Sequence, residues 1–128
     1  MKGFRFQRWL PALLTMIVIF WFSAQPSSEL PNFGVVDWLI KKSGHVGEYA
    51  VLAFWISFAF KFQKDRHWLA WLLALLYAGT DEFHQSFVPG RHPSIWDVII
   101  FDQLGIWIGL WITQRYFNKN DQPLMADR

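Results

Sequence analysis

Four apolar stretches alternate with short polar ones along the chain. Residues 9–24 carry no charge. Residues 43–60 are interrupted near their start by His45 and Glu48. Residues 68–80 are again uncharged, and residues 95–113 are broken by Asp97 and by Asp102-Gln103. Runs of this length and apolarity between short polar segments read as membrane helices. The third run has 13 residues, about 20 Å of helix against a hydrocarbon core of roughly 30 Å. A full crossing must therefore continue through Asp81 and Glu82 towards Phe87, so the acids would lie on the helix itself. The expected fold is all-α, a polytopic transmembrane bundle of four helices.

The connections are legible from their turn residues. Residues 25–40 hold Pro26, Ser27, Ser28, Pro31, Asn32 and Gly34 and read as a loop. Within it, Val35, Val36, Trp38, Leu39 and Ile40 could form a short segment lying in the interface. Lys61, Lys64, Asp65, Arg66 and His67 make a short basic loop, and Val88-Pro89-Gly90-Arg91-His92-Pro93 a tight turn. Pro11 falls in the first turn of its helix, where a missing N–H costs little. The chain divides into a basic N-terminus (1–8), a four-helix domain (9–114) and a polar tail (115–128). There is no internal repeat.

Composition supports a membrane setting. The 128 residues are 53% hydrophobic and 20% aromatic, with nine Trp and thirteen Phe. A soluble domain of this size would struggle to bury so many large side chains. With no Cys, disulfides and thiolate metal sites are excluded. A net charge of +2 is too small to argue for nucleic acid. A basic flank before an apolar run also fits a secretory leader. Phe22, however, suits a small-residue cleavage position badly, so the first run reads as an uncleaved helix. If all four runs span, nine of the twelve Lys and Arg residues share the side of both termini. Only Lys41, Lys42 and Arg91 lie opposite. Both termini are then cytoplasmic.

This topology brings the polar residues together. The second helix begins, the third ends and the fourth begins at one membrane face. There stand Lys41, Lys42, His45 and Glu48, then Asp81, Glu82, His84 and Gln85, then Arg91, Ser94, Asp97 and, deeper, Asp102. Ionisable groups in membrane helices usually face the bundle interior or a wet cavity, so these should form one pocket at the outer face. Lys42, His45 and Tyr49 share one helical face, as do Asp81 and Gln85.

Each residue also has a plainer role. Lys41, Lys42 and Arg91 suit interfacial anchors. Ser94 and Asp97 have the spacing of a capping box. His45 and Glu48 could pair to neutralise each other, and Asp102 with Gln103 could bridge helices. Tyr49 and Tyr77 suit packing, and His67 and His92 suit loops.

Three sharper readings compete with these. Lys41, Lys42 and Arg91, beside the N-termini of the second and fourth helices, together with Gln85 and Asp97, could bind an anion such as a lipid headgroup or a cell-wall precursor, with Lys42, Arg91, Gln85 and Asp97 as the binding set. His45, Asp81 and Glu82 could supply acid and base, since closely spaced carboxylates favour keeping a proton on one of them. His45, Glu48, Asp81, Glu82 and His84 are acceptable metal ligands, but they lack a standard metal spacing. No cofactor is expected.

The motifs are specific enough to show a resemblance. Lys42-x-x-His45 with Glu48-Tyr49, the run Asp81-Glu82-Phe83-His84-Gln85-Ser86-Phe87-Val88-Pro89-Gly90-Arg91, and Ser94-x-x-Asp97 followed by Asp102 and Gly105 resemble the signatures of the VanZ-like family. The likeness covers roughly residues 10 to 114. It implies a small integral protein of the bacterial membrane, a link to the cell envelope and low-level resistance to the glycopeptide teicoplanin. It carries over Lys42, His45, Asp81, Glu82, Gln85, Arg91 and Asp97. The family's polar residue after Asp97 usually comes four positions later. Here Asp102 comes five later, which on an ideal helix turns it well away from Asp97. Lys41 stands where an acid is common. A non-enzymatic scaffold with a structural polar cluster is the alternative function.

Overall fold

Among the described residues, 5–25, 34–91 and 93–117, the computed structural model holds four α-helices and no strand. Helix α1 is Leu10–Ser23, entered through a 3-10 turn at Phe6–Trp9. Helix α2 is Val35–Ala59, α3 is His67–Gln85 and α4 is Gln103–Tyr116. A π-helical segment, Asp97–Asp102, runs directly into α4. Residues 1–4, 26–33, 92 and 118–128 lie outside the described residues, and with them most of the loop read from the sequence over 25–40 and nearly all of the polar tail read over 115–128.

Two expectations about element bounds meet the structure differently. Helix α3 does continue through Asp81 and Glu82 to Gln85, as the length argument requires. By contrast, Val35 to Ile40 are not a separate interfacial segment; they are the first turns of α2. Gly34, at φ +68°, provides the left-handed entry that a side chain would oppose. Asp37 then sits in the first turn, where the helix dipole favours an acid, and pairs with Lys41 one turn on at 2.8 Å.

Helix α2 is the centre of the bundle and packs most extensively against α4. Gly105 and Gly109 explain how closely the two approach. A Cβ at either would lie 2.3 Å from a backbone carbonyl oxygen of α2, that of Val46 or Ala50. Small residues four apart let helix backbones meet in this way. On α3 the same task falls to Ala70, Ala74 and Ala78, all fully buried on one face.

The large apolar side chains are mostly outside. Leu14, Ile17, Trp21, Trp107 and Trp111 are each more than half exposed, whereas Asp81, Asp97 and Asp102 are buried. By length and composition one stretch, Phe6–Ser23, is long and apolar enough to cross a membrane. The other helices carry the polar residues, which lower their mean hydropathy.

Candidate functional site

The start of α2, the end of α3 and the π segment meet at one end of the bundle. The face of α2 that carries Lys42, His45 and Tyr49 makes three cross-helix contacts. Lys42 forms an ion pair with Asp97. His45 Nδ1 lies 2.9 Å from Asp102 Oδ1. The Tyr49 hydroxyl donates to Asp81 Oδ2 at 3.1 Å. One stripe of a single helix therefore holds both the π segment and α3.

The π segment corrects the expectation that Asp102 turns away from Asp97. Its hydrogen bonds close over five residues, as between the Gln103 N–H and the Val98 carbonyl. The wider turn brings residue 102 back beneath residue 97. Both aspartates are buried, Asp102 completely, and they meet α2 residues three apart. Asp102 is thus the functional candidate that sequence reasoning set aside. The signal that could have found it was the five-residue spacing itself, which is what a one-residue insertion in a helix looks like.

The capping box is also built differently. Ser94 Oγ accepts from the Trp96 N–H at 3.2 Å. The acid that takes the Ser94 N–H is Glu82, from α3, while Asp97 is engaged with Lys42. Ionised or not, Glu82 joins the end of one helix to the start of the next.

Beside these pairs lies a cavity of about 160 Å³ between the end of α1, the start of α2 and the end of α3. His45, Gln85 and Arg91 line it, together with Lys41, Glu48 and Ser23. Lys42, Asp81, Glu82 and Asp97 do not. Lys42 stays with Asp97 and over the Phe101 ring, 5.1 Å from its centroid, so Lys41 is the lysine at the cavity. Glu82 lines a separate groove with Ser94. Arg91 Nε donates to the Gln25 carbonyl at 2.8 Å and Nη2 to that of Phe22 at 3.0 Å. The guanidinium thus clasps the end of α1, adding a donor to the Phe22 carbonyl, which also accepts from the Gln25 N–H, and one to the Gln25 carbonyl just beyond the helix. Gln85 Nε2 donates to Ser23 Oγ at 3.1 Å, a second tie to α1.

Three carboxylate oxygens near this cavity are buried without a hydrogen-bond partner in the protein: Asp81 Oδ1, Glu82 Oε2 and Asp102 Oδ2. Buried polar atoms of this kind are uncommon and costly. They leave the region able to accept donors from outside the chain. Among the described residues, the candidate ligands His45, Glu48, Asp81, Glu82 and His84 do not converge in a metal-binding group of three or more. His84 stacks on Phe20 of α1, with ring centroids 4.1 Å apart.

The arrangement has a defined chemical capacity. An Nδ1–H of His45 donated to Asp102 fixes the ring, and Nε2 is then the nitrogen that can exchange a proton. His45 lines the cavity, so such a proton could reach a bound group. His67, read from the sequence as a loop residue, instead opens α3 at the opposite end of the bundle. It is buried, with Nδ1 2.9 Å from Gln114 Nε2 and Nε2 3.4 Å from Thr113 Oγ1, and it fastens α3 to α4.

The model of one protein family, described as VanZ/LLP1, matches residues 6–117. No curated protein and no solved structure matches the chain.

Proposed function

The chain belongs to the VanZ/LLP1 family, and we propose that it is a multi-pass protein of the bacterial cell membrane whose cavity binds the headgroup of an anionic lipid or lipid-linked cell-wall precursor. In this reading all four helices cross, both termini are cytoplasmic and the cavity opens at the outer face. The observation that carries it is the cavity of about 160 Å³ with Arg91, Lys41, His45 and Gln85 in its wall. Multiple spans are supported by the inverted distribution of side chains, apolar outside and ionisable inside. Helix α2, with 25 residues, is about 37 Å long, enough to cross.

An anion in the cavity would draw on Lys41, on the donors of Arg91 not engaged with α1, and on Gln85. Arginine suits a phosphate because its planar fork offers several fixed N–H groups. His45, oriented by Asp102, would exchange protons with that anion if the site turns over a phosphate ester. Lys42, Asp81, Glu82 and Asp97 would act at one remove, by holding α2, α3 and the π segment in register. Low-level teicoplanin resistance would follow if the bound lipid were a precursor that the glycopeptide also meets.

The test is the unfolding temperature of detergent-purified protein with anionic lipids, undecaprenyl phosphates included, for wild type and Arg91→Ala. A ligand that binds only the folded state must raise that temperature. A rise with one lipid class, lost in Arg91→Ala, is the expected result. No rise with any headgroup would overturn the binding site. Topology has its own test, made clean by the absence of Cys. An impermeant thiol reagent should label Ser86→Cys on intact cells and Lys64→Cys only after permeabilisation.

One observation favours a second reading, a non-enzymatic scaffold. Lys42 with Asp97, Tyr49 with Asp81, Glu82 with the Ser94 N–H and Arg91 with two carbonyls are all engaged within the protein itself. A scaffold tolerates His45→Gln and Asp81→Asn, whose amides retain hydrogen bonds. A proton-transfer site loses function with His45→Gln while the protein remains in the membrane.

A further inference from the structure

A second, apolar space adjoins the residues of the polar cavity. An apolar groove of about 360 Å³ runs along the seam between α1 and α2, lined by Leu14, Val18, Ile19, Gly47, Glu48 and Val51. Glu48 lines both the groove and the polar cavity. On α1 the cavity takes Phe22 and Ser23, and the groove takes the two turns before them. On α2 the cavity takes Gly44, and the groove begins at Gly47, on the same face. From residue 22 back to residue 14 the seam covers about 12 Å of helix, a substantial part of one leaflet.

The two glycines are the informative feature. A Cβ at Gly44 or Gly47 would meet nothing within 4 Å, unlike at Gly105 and Gly109, where it would strike backbone. Neither glycine is needed for the packing of the chain on itself. Each weakens the middle of a helix relative to alanine. Both leave space in a wall, Gly44 in that of the polar cavity and Gly47 in that of the groove. Helix α1 packs against both α2 and α3, but the side-chain hydrogen bonds that fasten it along this length come from α3 and the turn after it. Tyr77 donates to the Met16 carbonyl, Gln85 to Ser23, and Arg91 to the carbonyls of Phe22 and Gln25.

We infer that the seam between α1 and α2 holds the hydrocarbon chain of the same ligand, so the site takes a single-chain amphiphile with an anionic head, not a water-soluble anion. This rests on the headgroup reading above. A chain fits the volume, since 360 Å³ is room for roughly a dozen groups of water or methylene size. A helix from a second copy could cover the groove but would not continue into a cavity lined by Arg91, His45 and Glu48. A lipid has both parts in one molecule, as one residue, Glu48, lines both the polar cavity and the groove.

The experiment compares methyl phosphate with dodecyl phosphate, which share a headgroup and differ only in the chain. Binding is followed on the full-length protein in one detergent, for wild type, Gly47→Leu and Val18→Trp. Both variants place a side chain into the open seam from opposite walls, and Gly47→Leu also improves helix propensity, so the fold should persist. Wild type should bind dodecyl phosphate at least tenfold more tightly than methyl phosphate. Each variant should bring dodecyl phosphate down to the methyl phosphate affinity while leaving methyl phosphate unchanged. Undiminished dodecyl phosphate binding in both variants would overturn the chain site and leave the headgroup reading standing. Equal binding of the two probes by wild type would do the same. If wild type binds neither, the headgroup reading fails and this inference falls with it. If wild type is a dimer by light scattering and Gly47→Leu makes it monomeric, the occupant is a second copy and the lipid chain is ruled out.

Discussion

His45 on α2 and Asp102 at the end of the π segment lie 2.9 Å apart, with the carboxylate fully buried. Their meeting depends on one turn of helix being wider than the rest. Removing the imidazole would leave Asp102 buried with neither oxygen partnered, since Oδ2 already has none. The expected cost of His45→Ala is about 1–3 kcal/mol. His45→Ala and Asp102→Ala should also be non-additive in a double-mutant cycle read by thermal or chemical unfolding. Additive losses would mean that the pair does not interact in the folded protein.

The π turn behaves as a one-residue insertion, so it should be removable. Deleting Ile100, an exposed residue in its middle, would leave an aspartate four positions after Asp97. Ordinary α-helical spacing then keeps both acids on one face. The deletion variant should fold, retain helix content by circular dichroism and keep the ion pair of Lys42 with Asp97. Deleting Ile108 instead, within regular α4, should rotate the rest of the helix and unfold the protein.

Glycine substitutions should differ in sign by position. Gly109→Ala puts a Cβ 2.3 Å from the Ala50 carbonyl oxygen, and Gly105→Ala does the same at Val46. The backbones must separate along the largest interface, so each should lose roughly 1–3 kcal/mol despite the better helix propensity of alanine. Gly79→Ala meets nothing within 4 Å and should be neutral or stabilising. Melting temperatures of the three variants in one detergent decide this directly.

Tyr49 is completely buried and its hydroxyl donates a hydrogen bond to Asp81 Oδ2. Tyr49→Phe preserves the ring but leaves both Asp81 oxygens without a protein donor. A loss of about 1–3 kcal/mol is expected. Tyr49→Phe combined with Asp81→Leu should recover part of that loss, because removing both partners removes the orphaned group. Unfolding of the single and double variants in parallel provides the check.

Arg91→Lys tests whether charge or geometry holds the end of α1. The guanidinium reaches two carbonyls three residues apart with separate nitrogens. A lysine keeps the charge but lacks the planar fork. The variant should show faster proteolysis near residue 25 and a lower melting temperature, approaching that of Arg91→Ala. A wild-type melting temperature would show that charge alone is sufficient.

Much of this was readable before any coordinates. The shortness of the run over residues 68–80 required α3 to carry Asp81 and Glu82 into its last turn, and it does. The 3.6-residue repeat placed Lys42, His45 and Tyr49 on one face, and each of the three finds an acid there. The loop reading of Val35 to Ile40 failed because Gly34, taken as a breaker, is the residue that admits α2. Asp102 was misjudged because spacing arguments assume a regular helix, and the π turn is not regular.

By itself, the sequence determined that the chain makes four helices, roughly where each lies apart from the start of α2, and which helix ends carry ionisable groups. Those follow from local preference and from apolar periodicity, which each segment expresses alone. Which donor meets which acceptor was decided only in the tertiary structure. It depends on how far each helix is rotated and how closely it approaches its neighbour. Gly105 and Gly109 set the approach of α4 to α2, and the π turn sets the rotation of Asp102. That is why Lys42 went to Asp97 and left Lys41 and Arg91 at the cavity, an outcome of competition between residues far apart in the chain.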